Sequence, residues 1–557
     1  MAEPLASLLG LPHELPTSFS PTHGWTLSWL LPILACGVLA AYAWASRRQL
    51  GQLARTKLRW WLNGLLGVCA LLSVVTYADF GLARYGSFIN EWDVYHYYLG
   101  SKYTPELGYV DLYGATLVAD AQTGLQFAHR SGELRDLSTL EFVPVGKVLQ
   151  QGEHHRRRFT PERWAEFVQD VEYFKHQLPH RKWNTLLRDH GYNGTPAWSV
   201  VVGMLFTRNL SIGETVPRIL LLSLDPLLIM LALWMVRRAF SLRTALLLTI
   251  FIGTHYLFSW GHLKGGILRT DFAMLSLMSI CCVKLGHYRT AGAMLAGATL
   301  SRVFPVLLLV GPAIHGLDIL VRKRRIDRDL LWLAVSFFAT LLVVAGAGAL
   351  YGGGTGLWAQ WTEKITQHYG YLVHWNMGYG AILGADWEPG FPELVSWSDK
   401  LAEEPMALLS HKLVSGITRV AIVVPALYFA RGLRRWESMA YSFVFFFFLL
   451  QATYYYYLIL VVPLLFFVAE DEVERPERAL GAAWMLLTGA AGYLLFAGWA
   501  PLRETIVLYG WRQLYPTYYF LSWLICGTCL YMIALAAVRT HAHDAALEVE
   551  VEAEVEA

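Results

Sequence analysis

At 557 residues, 55% hydrophobic and only 16% charged, this chain is too apolar to be a string of soluble domains. A formal net charge of +2, with no dense Lys/Arg stripe, excludes nucleic acid as a partner. The six cysteines, Cys36, Cys69, Cys281, Cys282, Cys526 and Cys529, all fall in apolar segments, which argues against a zinc or redox centre.

In chain order, apolar runs near the roughly 20 residues needed to cross a bilayer recur throughout. The first, 27 to 46, follows a segment without Lys or Arg and lacks a small-residue cleavage site, which predicts a retained helix. Spans follow at 59 to 78, 215 to 236, 242 to 260, 271 to 286, a short pair at 289 to 300 and 303 to 321, and 329 to 350. Then come 413 to 431, a second short pair at 437 to 451 and 457 to 469, 479 to 498 and 516 to 538. The expected fold is an all-α polytopic integral membrane protein of about thirteen transmembrane helices.

Basic clusters, such as Arg47, Arg48, Arg55 and Lys57 or Arg322 to Arg325, fall after every second apolar segment. By the positive-inside rule the N-terminus lies outside and the C-terminus inside. Residues 1–58 then hold an extra helix and a basic cytoplasmic loop, 59–538 the main bundle, and 539–557 a low-complexity acidic tail expected to be disordered. The loops at 79–213 and 351–411 fall on the outer side and are too long to be mere connectors. Within the first, "TPERWAEFVQDVEYFKHQL" predicts a helix capped by Thr160, with Trp164, Phe167, Val171 and Phe174 on an apolar stripe expected to lie along the membrane surface.

The stretch "NEWDVYHYYLGSKYTPELGYVDLYG", Asn90 to Gly114, concentrates carboxylates and tyrosines just beyond the second span. Glu91 and Asp93 stand beside Tyr95, His96, Tyr97 and Tyr98, rigid rings with polar tips that suit a sugar or the membrane interface. On residue types alone, an interfacial aromatic belt with solvated carboxylates fits as well. Glu106 and Asp111 read as solvated surface charges, and Asp225 as structural or paired with Arg218.

In "EWDVYHYY", "LGS" and "LGYVDLY" the chain resembles the first outer loop of polyprenol-phosphate-sugar-dependent glycosyltransferases of the C superfamily, especially the alpha-mannosyltransferase-like family 87. "RTAGAMLAGATLSRVFPVLLLVGP", "HWNMGYGAIL" and "YYYYLILVVPLLFF" are similar to later elements of that family and come in the expected order. The extra first span, the long first loop and the presence of two acidic candidates depart from its pattern. The resemblance implies a GT-C-like bundle in a cell membrane, most simply a bacterial inner membrane, with its active site extracytoplasmic. It also implies a polyprenyl-phosphate sugar donor, a lipid or glycan acceptor, and no metal or other cofactor.

In that chemistry one carboxylate, Asp93 or in strict alignment Glu91, takes the acceptor proton, and cations steady the departing phosphate. The candidate phosphate partners are Arg302, Arg419, Arg269, Lys364, His368 and His374. Arg302 and Arg419 stand out because each interrupts apolar sequence, where an unpaired charge is expensive. Tyr95, Tyr97 and Tyr98, with Trp375 and Asn376 of the second loop, would hold sugar and acceptor. A transporter or flippase of a lipid-linked glycan is the rival reading. Long outer loops favour the enzyme, and a scaffold subunit would leave the embedded arginines unexplained.

Overall fold

The computed structural model describes residues 21–48, 52–78, 89–127, 132–258, 264–369, 376–383, 385–388, 391–394, 412–469, 475–498 and 514–556. Among them, seven helices are long and apolar enough to cross a membrane: Thr26–Arg47, Gln52–Tyr77, Thr215–Ala239, Phe304–Lys323, Arg328–Tyr351, Leu413–Gly432 and Thr517–Ala542. Their outward faces carry Trp60, Trp61, Leu342, Val343 and Leu413, each more than two-thirds exposed. So much uncovered apolar surface on long helices suits lipid rather than water.

Other apolar runs form shorter helices. Asp271–Lys284 and Tyr288–Ser301 have 14 residues each, about 21 Å at 1.5 Å per residue, less than a hydrocarbon core. Nearly every side chain of Asp271–Lys284 is buried by protein, so its apolarity reflects a core position as much as a solvent of lipid. Tyr288–Ser301 packs so tightly on Arg328–Tyr351 that a Cβ on Gly292 would stand 2.2 Å from the Leu333 carbonyl oxygen. Small residues along this seam allow that approach.

The 89–213 region builds an apolar core of its own, with Tyr95, Tyr98, Tyr103, Phe167, Phe174 and Trp183 all fully buried. The amphipathic helix is there, Pro161–Gln177, and Thr160 caps it by accepting from Arg163 N at 3.3 Å. Its placement differs from expectation. Phe167 meets Tyr103 edge-on at 4.9 Å and Phe174 meets Tyr95 at 5.5 Å, so the apolar face is covered by its own domain. Glu106 and Asp111 are not solvated either, since Arg163 binds Glu106 at 2.8 Å and Arg158 binds Asp111 at 2.5 Å.

The Arg328–Tyr351 helix separates two ends of the bundle. At its start, Arg435 bridges Asp327 at 2.6 Å and Asp329 at 2.9 Å. At its finish, Tyr351 donates to the Ser101 carbonyl at 3.3 Å, and Gly348 abuts Pro196 and Ala197 of the 89–213 region. A 24-residue helix places these ends about 36 Å apart. The last helix, Leu514–Glu556, continues through the acidic segment expected to be disordered. Ala, Leu and Glu there are strong helix formers, and Asp544 is held by Arg431 at 2.5 Å and Arg322 at 3.2 Å.

Candidate active site

The helix Glu91–Lys102 starts where Asn90 accepts from the Asp93 amide at 3.3 Å, and the Asn90 amide donates to the Gly265 carbonyl at 3.1 Å. That second bond draws the segment 264–270 across the first helical turn. At Gly266 a Cβ would stand 2.6 Å from both Asp93 Oδ2 and Arg269 Cγ, so only glycine lets the two side chains meet here. Arg269 Nε lies 3.1 Å from Asp93 Oδ2.

Tyr97, four residues after Asp93, shares its helix face. The Arg269 guanidinium lies 4.0 Å from the Tyr97 ring centre and 5.6 Å from that of Tyr455. Arg302, the residue that ends the helix Tyr288–Ser301, donates from Nη2 to the Tyr97 hydroxyl at 3.0 Å and from Nη1 to the Ser301 carbonyl at 2.7 Å. It also faces the Tyr456 ring at 6.0 Å. Two guanidiniums, one carboxylate and Tyr97, all buried, therefore form one cluster with the half-buried Tyr455 and Tyr456 where the 89–213 region meets the bundle.

Burial pushes the Asp93 carboxyl up to about 6, while Arg269 and then Arg302 hold it down and Asp189 pushes it further up. Burial works against charge on Arg269, but Asp93 beside it keeps that guanidinium well above its ordinary value. Arg269 is 5% exposed, and its Nη1 has no hydrogen-bond partner among the described residues. A donor so placed is costly unless something accepts from it.

Glu91, two residues before Asp93, points elsewhere. Its Oε1 accepts from the Tyr173 hydroxyl at 3.1 Å, and burial pushes its carboxyl up to about 7. The two acids thus lie on different faces of the helix and do not form a pair. Tyr95 and Tyr98 turn into the core of the 89–213 region, Tyr95 to the Thr116 hydroxyl at 2.7 Å and Tyr98 to the Leu210 carbonyl at 3.1 Å.

The remaining candidates scatter. Lys364 donates to the carbonyls of Tyr192 at 3.0 Å and Tyr109 at 3.3 Å, tying the helix Gly356–Tyr369 to the 89–213 region. Burial brings its amine down to about 7. Arg419 is half-buried on another helix, its Nη2 3.7 Å from where a Gly380 Cβ would stand. His368 belongs to the last turn of Gly356–Tyr369, and His374 and Trp375 lie outside the described residues. Asn376 is buried in a short strand whose partner across the ladder is Thr453, directly before the tyrosine run.

Several members of the cluster were not singled out by sequence reasoning. Tyr455 and Tyr456 were visible only as the start of a late span. Asp271, two residues after Arg269, accepts from Ser301 Oγ at 2.6 Å and Trp198 Nε1 at 2.8 Å. Asp189, held by Trp92 Nε1 at 2.9 Å, carried no local signal at all. Asp225, read as structural or paired with Arg218, accepts from the Thr270 amide at 3.0 Å and hydroxyl at 2.6 Å, just beside Arg269. No protein-family model, curated protein or solved structure matches the chain.

Proposed function

We propose that the protein is an integral-membrane glycosyltransferase that moves a hexose, by resemblance mannose, from a polyprenyl phosphate to a lipid or glycan acceptor on the extracytoplasmic side. The observation that carries this reading is the buried Asp93–Arg269–Arg302 cluster, an acid poised near neutrality beside two guanidiniums, one with an unmet donor. Asp93 takes the proton of the acceptor hydroxyl as its oxygen bonds to the anomeric carbon. The bond from that carbon to the phosphate oxygen breaks, and the phosphate leaves with the electron pair, so displacement inverts the centre.

The leaving phosphate gains a negative charge, which Arg269 and Arg302 stabilise with forked donors. Asp93 near 6 is largely ionised at pH 7 and more basic than an ordinary aspartate, which suits a general base. The Tyr97, Tyr455 and Tyr456 rings offer a face for a sugar. A flippase or transporter of a lipid-linked glycan remains the second reading, since cations and aromatics also bind such a cargo without chemistry. A basic carboxyl beside the arginines favours the enzyme.

The test is incubation of purified protein with polyprenyl-phosphate mannose or glucose and an extract of membrane glycolipids, with mass spectrometry for free polyprenyl phosphate. Release that depends on Asp93 is expected. No release from either donor, with the donor still bound, would leave the transporter.

A further inference from the structure

We propose that Asp271 is a positioning residue that aims Arg302 at a bound phosphate, acting through Ser301 and Trp198 without touching the ligand. The inference rests on the reading of Arg302 as a phosphate partner. Arg302 follows the last residue of a helix and has extended backbone angles, φ −145° and ψ 126°. A side chain at such a frayed end would ordinarily sample many directions. Here the end is clamped twice, by Thr195 at the cap of the helix Pro196–Val202 and by Asp271 of the helix Asp271–Lys284.

In the first clamp, the Thr195 hydroxyl donates to the Leu300 carbonyl while accepting from the Trp198 amide at 3.0 Å. In the second, Asp271 Oδ2 receives both Ser301 Oγ at 2.6 Å and Trp198 Nε1 at 2.8 Å, and Asp271 Oδ1 receives the Phe272 amide at 2.7 Å. Ser301 in turn presents its carbonyl to Arg302 Nη1 at 2.7 Å. Trp198 packs edge-on against Tyr97 at 5.2 Å, and Tyr97 receives Arg302 Nη2 at 3.0 Å. Asp271 therefore joins the two supports of one guanidinium, the carbonyl on one side and the tyrosine on the other.

The carboxylate is 5% exposed, and both its oxygens already accept hydrogen bonds. Burial works against charge on Arg302 while Tyr97 and Tyr456 favour it, and Asp271 adds a smaller contribution in the same direction. Supporting bonds of this kind hold a ligand-binding fork within the narrow range that productive geometry requires. Asparagine in its place could keep both donors on its one oxygen only by turning its amide NH₂, itself a donor, toward the Phe272 N–H, so it loses one acceptor and the negative charge.

The experiment is a double-mutant cycle on binding of farnesyl phosphate to the full-length protein in detergent. Arg302→Ala should weaken binding about 10- to 150-fold, and Asp271→Asn about five- to tenfold. The double variant should bind no more weakly than Arg302→Ala, because Asp271 has nothing left to aim. Ser301→Ala, which removes one donor to Asp271, should give a smaller loss with the same dependence on Arg302, and serves if Asp271→Asn fails to fold. Equal losses from Asp271→Asn or Ser301→Ala with and without Arg302 would overturn the positioning role and leave the phosphate reading standing. Unchanged binding in both Asp271→Asn and Ser301→Ala would overturn it as well. Unchanged binding in Arg302→Ala would overturn both.

Discussion

Two buried ionic clusters stand at opposite ends of the bundle, and they differ in how completely their hydrogen bonds close. At one end Glu437, wholly buried, accepts at Oε2 from Arg434 at 2.9 Å and at Oε1 from Arg434 at 3.0 Å and Arg478 at 3.2 Å, with Arg539 completing the set. Arg478 gives its other nitrogen to the Phe466 carbonyl at 2.6 Å. At the other end Asp93 has one ion pair at 3.1 Å, and the Arg269 Nη1 beside it lacks a partner among the described residues. A closed cluster locks helices together. An open one keeps free energy for a ligand, and burial alone does not distinguish the two.

The largest expected effect falls on the open cluster. Asp93→Asn keeps shape and removes proton affinity, so turnover should drop about 10²- to 10⁴-fold with donor binding and melting behaviour largely preserved. Glu91→Gln should be far milder, since Glu91 faces Tyr173 rather than the arginines. Single-turnover assays on both variants measure this. The opposite ranking would move the base to Glu91, and normal turnover in both would remove the enzyme reading.

The closed cluster should respond in the converse way. Glu437→Ala leaves three guanidiniums around an empty place, and breaking such a buried set costs about 3 to 5 kcal/mol. Unfolding in detergent should therefore shift strongly while activity per folded molecule stays close to wild type. A large loss of specific activity at unchanged stability would erase the contrast between the ends.

Among the cations, Arg302→Ala should weaken donor use about 10- to 150-fold by removing a charge-assisted bond. Arg419→Ala should have a smaller effect, since Arg419 borders Gly380 and not the Arg269–Arg302 pair. Kinetics at varied donor concentration separate the two. Equal losses would put Arg419 on the phosphate path after all.

The sequence made some of this legible. The Asp93–Tyr97 spacing places both on one helical face, and Arg302 is conspicuous as a charge inside apolar sequence. The faces of the other tyrosines were not legible, because Asp93 to Lys102 is buried on every side and so has no stripe to read. Arg302, Arg419 and Lys364 look alike as isolated cations, yet Lys364 meets two backbone carbonyls supplied by residues more than 150 positions away. Span counting treated every apolar run as lipid-solvated, and helices buried among other helices, such as Asp271–Lys284, have the same composition at shorter length. The Pro161–Gln177 helix was evident from its cap and period. Its neighbour was not, since lipid and a protein core select the same stripe.

The smallest expected effect is also the most discriminating between the two acids. Asp93 lies at about 6, raised by burial and opposed by Arg269 and Arg302, with Asp189 raising it and Tyr97 and Tyr454 also facing the cluster. A base must be ionised, so activity should be near its plateau at pH 7 and fall about tenfold by pH 5 as Asp93 takes up a proton. Glu91 lies at about 7, and a base there would put the edge of the profile about one unit higher. The pH dependence of kcat/KM for the donor therefore reads out which acid works. Arg269→Ala removes the nearest charge holding Asp93 down, so its edge should move upward, whereas Glu91→Gln should leave the edge where it is. An edge near 7 that disappears in Glu91→Gln would transfer the catalytic role to the face that Tyr173 now covers.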